Sequence, residues 1–173
     1  MKKSLSFIAT AALLSLTVVS IPTAARASTP TCTTAAGVTT CVGVTADGAK
    51  YQFMAPANFN GTAYIYSHGY RPNLALPVGQ IPGVGGPVID LPEPVPGGNT
   101  TVAAAILGKG FGIMGSGYSR QGWAADEAIK TNVELIGIFK KQYPATKKVI
   151  AWGNSLGGYI TQAMAEKLSL IHI

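Results

Sequence analysis

Gly153-Asn154-Ser155-Leu156-Gly157 is the stretch of this 173-residue chain whose residue types and spacing could do covalent chemistry. It fits the pattern G-x-S-x-G, which places a serine hydroxyl at the tip of a tight turn. Residues 147–152 before it are apolar and β-branched enough for a buried strand, and residues 158–167 after it read as a helix. Strand, turn and helix together predict an elbow that holds Ser155 in a strained backbone conformation. Gly153 and Gly157 are then needed because strand and helix approach each other too closely for side chains. The start of the helix aims free N–H groups and the positive end of its dipole at the serine, where an alkoxide or oxyanion would form. The same five residues also admit a plainer reading, a serine capping an ordinary strand-to-helix turn.

The elements that would position this turn can be followed along the chain. Residues 39–45 and 50–54 predict a hairpin about the Asp47-Gly48 turn. Residues 62–67 predict a strand running into His68-Gly69-Tyr70. Residues 71–99 hold seven of the eleven prolines and six glycines, with no helical or strand period. That segment is expected either to cross the mouth of a pocket or to be a solvated insertion without a role. Its acids, Asp90 and Glu93, are expected in solvent. A short helix over 100–109 ends at Gly110, and a glycine-rich strand and loop follow over 111–119. Residues 124–143 give the clearest helix, stopped by Pro144, with Ile129, Val133, Ile136 and Phe139 on its core stripe and Lys130, Glu134, Lys140 and Lys141 turned outward. The alternation of strands and helices predicts right-handed crossovers and a parallel sheet.

Composition narrows the function classes. The chain is 47% hydrophobic and 12% charged, enough for one core. Its net charge of +6 includes Lys2, Lys3 and Arg26, which fall in a segment expected to be removed. The remaining balance of +3, with lysines not interleaved with aromatics, is no nucleic-acid footprint. Residues 1–27 read as a secretory signal peptide: a Lys2-Lys3 n-region, an apolar stretch diluted with Ser and Thr, and Ala25-Arg26-Ala27 before a cut at Ser28. A secreted or periplasmic protein with no stable membrane anchor is expected. Cys32 and Cys41 are then expected to pair. Two cysteines with no nearby histidine do not make a zinc site.

With these residues in view, 40–167 resembles the N-terminal half of a secreted bacterial α/β-hydrolase, esterase-like or prolyl-oligopeptidase-like. The carriers are Tyr64-Ile65-Tyr66-Ser67-His68-Gly69-Tyr70, Gly115-Ser116-Gly117-Tyr118-Ser119, Gly122-Trp123 and the elbow itself. The resemblance implies an α/β-hydrolase fold, cut off after the elbow helix, and acyl transfer through Ser155. It implies the N–H groups of Leu156 and Tyr70 as oxyanion donors, with Gly69 letting the loop approach the carbonyl. His68 is implied to be structural, since the family's catalytic histidine follows its serine. No metal or organic cofactor is implied, and the expected partner is a small-molecule ester or peptide substrate.

The family order is serine, acid, histidine, yet only Glu166 and His172 follow Ser155 as candidates. The chain is therefore expected to be about half of a hydrolase, inactive as it stands. Residues 168–173 are the residues that a transposon-end adapter used in sequencing libraries would encode. They are expected to be a non-native tail, the alternative being genuine residues that finish the helix. Three functions stay open: a serine esterase, a serine peptidase, or a non-catalytic binding protein with the same scaffold.

Overall fold

The computed structural model describes residues 26–72 and 93–168. The expected leader through residue 25, residues 73–92 of the Pro/Gly-rich segment and residues 169–173 lie outside the described residues.

Four strands come first: β1 (Thr31–Ala35), β2 (Val38–Val44), β3 (Lys50–Pro56) and β4 (Thr62–Ser67). Then follow α1 (Thr100–Gly108), β5 (Gly112–Ser116), α2 (Ala125–Gln142), β6 (Lys148–Gly153) and α3 (Leu156–Leu168). The strands form a single six-stranded sheet in the order β1-β2-β3-β5-β4-β6. The pairs β1/β2, β2/β3 and β3/β5 are antiparallel; only β4/β5 and β4/β6 are parallel.

This corrects the expected fold class. An α/β-hydrolase fold truncated after the elbow helix, with a parallel sheet, was the sequence expectation. The described chain is instead a small mixed sheet with three helices, and most of its strands precede the helices. The reason is local. The first three strands are joined by turns too short for crossover helices, so they pair antiparallel. The β1–β2 turn is Ala36-Gly37, with φ of 48° and 74°, the doubly left-handed turn that suits a two-residue hairpin. Ala-Gly is a weak signal for it, so β1 was not foreseen. Cys32 and Cys41 sit directly opposite each other across β1 and β2 and are joined by a disulfide, with Cα atoms 4.1 Å apart.

The second hairpin turns where Asp47-Gly48 predicts, with Gly48 at φ 87°. It is tied down from α2: Thr131 donates to Asp47 Oδ2, and Glu134 accepts from the Ala46 N–H at 3.0 Å. Glu134 is thus a clamp and not an outward charge. Burial raises the Asp47 pKa, but hydroxyl hydrogen bonds from Thr131, Thr45 and Ser119 outweigh it and hold the carboxyl below its usual range.

α2 and α3 pack on one face of the sheet. Their core holds Phe53, Ile65, Met114, Leu135, Ile160 and Met164, with the Phe53, Phe59, Phe139 and Tyr143 rings meeting largely edge to face. Val133, expected in the stripe, is 38% exposed, and Leu135 and Asn132 take the buried positions. The glycines of β5 mark close approaches on both faces. A Cβ on Gly112 would lie 2.7 Å from the Phe139 ring, and one on Gly115 would lie 2.9 Å from Pro96 Cα. Glu93, expected in solvent, lies half-exposed at the surface, where it pairs with Lys50. No helix among the described residues is long and apolar enough to cross a membrane.

Candidate active site

β6 ends at Gly153 and α3 begins at Leu156, so two residues make the turn between them. Ser155 has φ 53°, a left-handed conformation that a residue with a Cβ adopts only at a cost. The turn closes with Gly157 N–H donating to Asn154 O at 2.8 Å and Gly158 N–H to Ser155 O at 2.9 Å. Both flanking glycines are needed for space. A Cβ on Gly157 would fall 1.9 Å from Ser67 O, and one on Gly153 would fall 2.6 Å from both Gly157 O and Ser67 O.

Ser67 matters here because β4 runs parallel to β6 with Ser67 level with Gly153. The backbone leaving β4 therefore passes directly beside the turn. A Cβ on Gly69 would stand 3.2 Å from Ser155 Cβ and 3.3 Å from Asn154 O. The Tyr66 hydroxyl donates to Asn154 Oδ1 at 2.5 Å and fastens the turn to β4. Gly69, Tyr70, Gly153, Ser155, Leu156 and Gly157 are thus brought together. Ser155 is exposed and the Leu156 side chain is buried. Neither the Leu156 nor the Tyr70 N–H has an acceptor among the described residues.

A polar layer lies under the site. Asn132 is fully buried; its amide donates to Ser67 Oγ at 3.0 Å, and its Oδ1 accepts from Ser116 Oγ at 3.1 Å. α2 thereby fixes the ends of β4 and β5 at the level where both loops depart. Tyr118, at φ 58°, donates its hydroxyl to His68 O at 3.0 Å. Asn132 and Tyr118 were not singled out from sequence. A lone Asn on a helix gives no signal, and a Tyr in a glycine-rich loop gives little.

His68 is buried and structural. Its Nδ1–H donates to Gly69 O at 2.7 Å, and its ring stacks on Tyr118 with centroids 3.8 Å apart. Burial, with the Arg71 guanidinium adding to it, pushes its pKa down to about 4. A folded pKa below the unfolded value near 6.5 means that the unfolded chain takes up the proton first as pH falls. The stability from neutral, buried His68 is therefore complete above pH 6.5 and is lost on descending to pH 4, by about 3 kcal/mol at most. Urea unfolding at pH 7 and pH 4 should show this loss, and His68→Phe, which keeps a ring on Tyr118, should flatten it. An unchanged pH slope in His68→Phe would assign the acid lability elsewhere.

The described carboxylates are all engaged away from Ser155. Asp47 is held by hydroxyls, Glu93 by Lys50, Asp126 by Lys167, Glu127 by Arg120, Glu134 by the Ala46 N–H and Glu166 by Gln162. Among the described residues, no base hydrogen bonds Ser155, and no cluster of three or more His, Cys, Asp or Glu could hold a metal ion. His172 and Asp90 lie outside the described residues.

No family model matches the chain, and no curated protein matches it in sequence.

Proposed function

We propose that the protein is an exported serine hydrolase that acts on carboxylic esters through an acyl-enzyme on Ser155. One observation carries this reading: an exposed serine at φ 53°, between two glycines that leave no room for a Cβ, with Gly69 close enough that a Cβ on it would stand 3.2 Å from the serine's own. A cap in an ordinary turn needs none of this strain. A nucleophile that must stand clear of its own helix does.

Ser155 Oγ attacks the ester carbonyl carbon, and its proton passes to a base. The tetrahedral oxyanion is held by the Leu156 and Tyr70 N–H groups. The alcohol leaves as the carbonyl re-forms, and water then releases the acid by the same route. Loss of one such donor typically costs about a hundredfold to a thousandfold in rate. The described histidine, His68, is unsuited as the base: it is buried, stacked and held near pKa 4. The base and its orienting acid therefore come from outside the described residues. Export is supported by the Cys32–Cys41 disulfide, which suits an oxidising compartment.

A fluorophosphonate probe should label the full-length protein at Ser155, and Ser155→Ala should leave no label. Modification mapped to Ser116 or Ser119, or no modification at all, would refute the assignment.

A further inference from the structure

Six large hydrophobic side chains are exposed among the described residues; two of them, Tyr70 and Tyr159, belong to the segments that meet at Ser155, and a third, Trp123, packs on Tyr70. Tyr70, 48% exposed, follows Gly69, where a Cβ would stand 3.2 Å from Ser155 Cβ. Trp123, 75% exposed, lies against it with ring centroids 5.8 Å apart. That contact has a backbone anchor, because Gly122 N–H donates to Arg71 O at 2.9 Å and ties the Trp123 loop to the Tyr70 loop. Tyr159, 62% exposed, is on the first turn of α3, four residues after Ser155. A helical side chain covers the turn N-terminal to its own Cα, which here is the turn that carries Ser155.

Tyr70 and Trp123 are large rings left in water side by side, and such a pair marks a recognition surface. Their faces bind flat apolar groups by offset or edge-to-face stacking and cations through the ring quadrupole. The charge in the Tyr70 loop argues against a cation: Arg71, next to Tyr70, is positive and donates from its guanidinium to Glu93 O at 2.8 Å.

Resting on the proposed hydrolase reading, we infer that Tyr70, Trp123 and Tyr159 form an aromatic rim that selects esters carrying a neutral aromatic group next to the scissile bond. The rings set specificity and take no part in bond making.

The test measures reversible binding to full-length Ser155→Ala protein, so that turnover does not intervene. Methyl benzoate and methyl cyclohexanecarboxylate, alike in size, are titrated by NMR. The aromatic ester should bind about threefold to tenfold more tightly. Tyr159→Leu and Trp123→Leu keep apolar bulk at exposed positions and should each cut that preference, leaving the saturated ester little changed. Equal affinities, a preference that survives both substitutions, no saturable binding, or tighter binding of acetylcholine than of methyl benzoate would each overturn the rim. Fluorophosphonate labelling separates the two readings. Labelling without aromatic preference sinks the rim alone, and aromatic preference without labelling sinks the nucleophile alone.

Discussion

Ser155→Gly should abolish fluorophosphonate labelling and at the same time make the protein more stable. The loss is complete because the reacting oxygen is gone. The gain comes from the backbone. Ser155 sits at φ 53°, where a Cβ crowds the neighbouring carbonyl and costs on the order of 1 kcal/mol. Glycine occupies that region freely. The exposed serine side chain contributes no hydrogen bond among the described residues, so its removal sacrifices little. Ser155→Gly should therefore gain about 1 kcal/mol, less the extra chain entropy of glycine, while Ser155→Ala should stay within about 0.5 kcal/mol of the parent because it keeps the strain. Thermal melts of the three proteins decide this. If Ser155→Gly falls below Ser155→Ala by the full entropy cost of glycine, about 0.4–1 kcal/mol, the turn stores no strain, and the chief argument for a nucleophile there is lost. A residue whose replacement raises stability and removes reactivity is the trade-off expected where strain is kept for function.

The elements around Ser155 were legible because their signals are short-range. The strand over 62–67, the Asp47-Gly48 hairpin, the helix stopped by Pro144 and the turn between β6 and α3 each rest on apolar period, a proline or a glycine within a few residues. The sheet was not legible in the same way. Strand–helix alternation holds only from β4 onward; the pairing of β3 with β5 joins residues 51–54 to 113–116, a partnership no local pattern encodes. β1, whose Thr-rich residues are all exposed, carries no alternation to read. The site divides likewise. Ser155, Gly153, Gly157 and Gly69 follow from motif and spacing. Asn132 under Ser67, Tyr118 under His68 and Tyr66 against Asn154 are buried polar partners fixed only when distant strands align. Val133 and Glu134 show the limit of helical periodicity: Ile129, Ile136 and Phe139 are buried as the period predicts, but Asn132 and Leu135 fill the place between them, Val133 is left exposed and Glu134 holds the Ala46 N–H.

Gly157→Ala should be the most damaging single-methyl change in the described chain, and Gly158→Ala, one residue on, should be harmless. Neither glycine has a positive φ, so the two substitutions differ in space and not in backbone preference. At 157 the new methyl would lie 1.9 Å from Ser67 O, 2.6 Å from Ser67 C and 2.8 Å from His68 O, all backbone atoms with no rotamer to change. At 158 the nearest atom beyond the helix's own backbone is Gly153 O at 3.8 Å, ordinary contact. Relief at 157 requires α3 or the end of β4 to move, and β4 is held on one side by β5 and on the other by β6. Overpacking that shifts backbone typically costs about 1–3 kcal/mol, and a clash this deep belongs at or above the upper end. Gly158→Ala replaces a poor helix former with the best one in the first turn of α3 and should be neutral or stabilising by up to about 1 kcal/mol. The effect on chemistry should follow the same division. Ser67 leads directly into His68, Gly69 and Tyr70, so displacing it would shift Gly69 beside Ser155 and with it the proposed Tyr70 donor, and labelling should fall even in the fraction of Gly157→Ala that stays folded. Urea unfolding and labelling rates of the two alanine variants, measured side by side, test both statements. Equal stability and equal labelling would mean that β4 does not lie against the turn, and the oxyanion site built on that contact would fall with it.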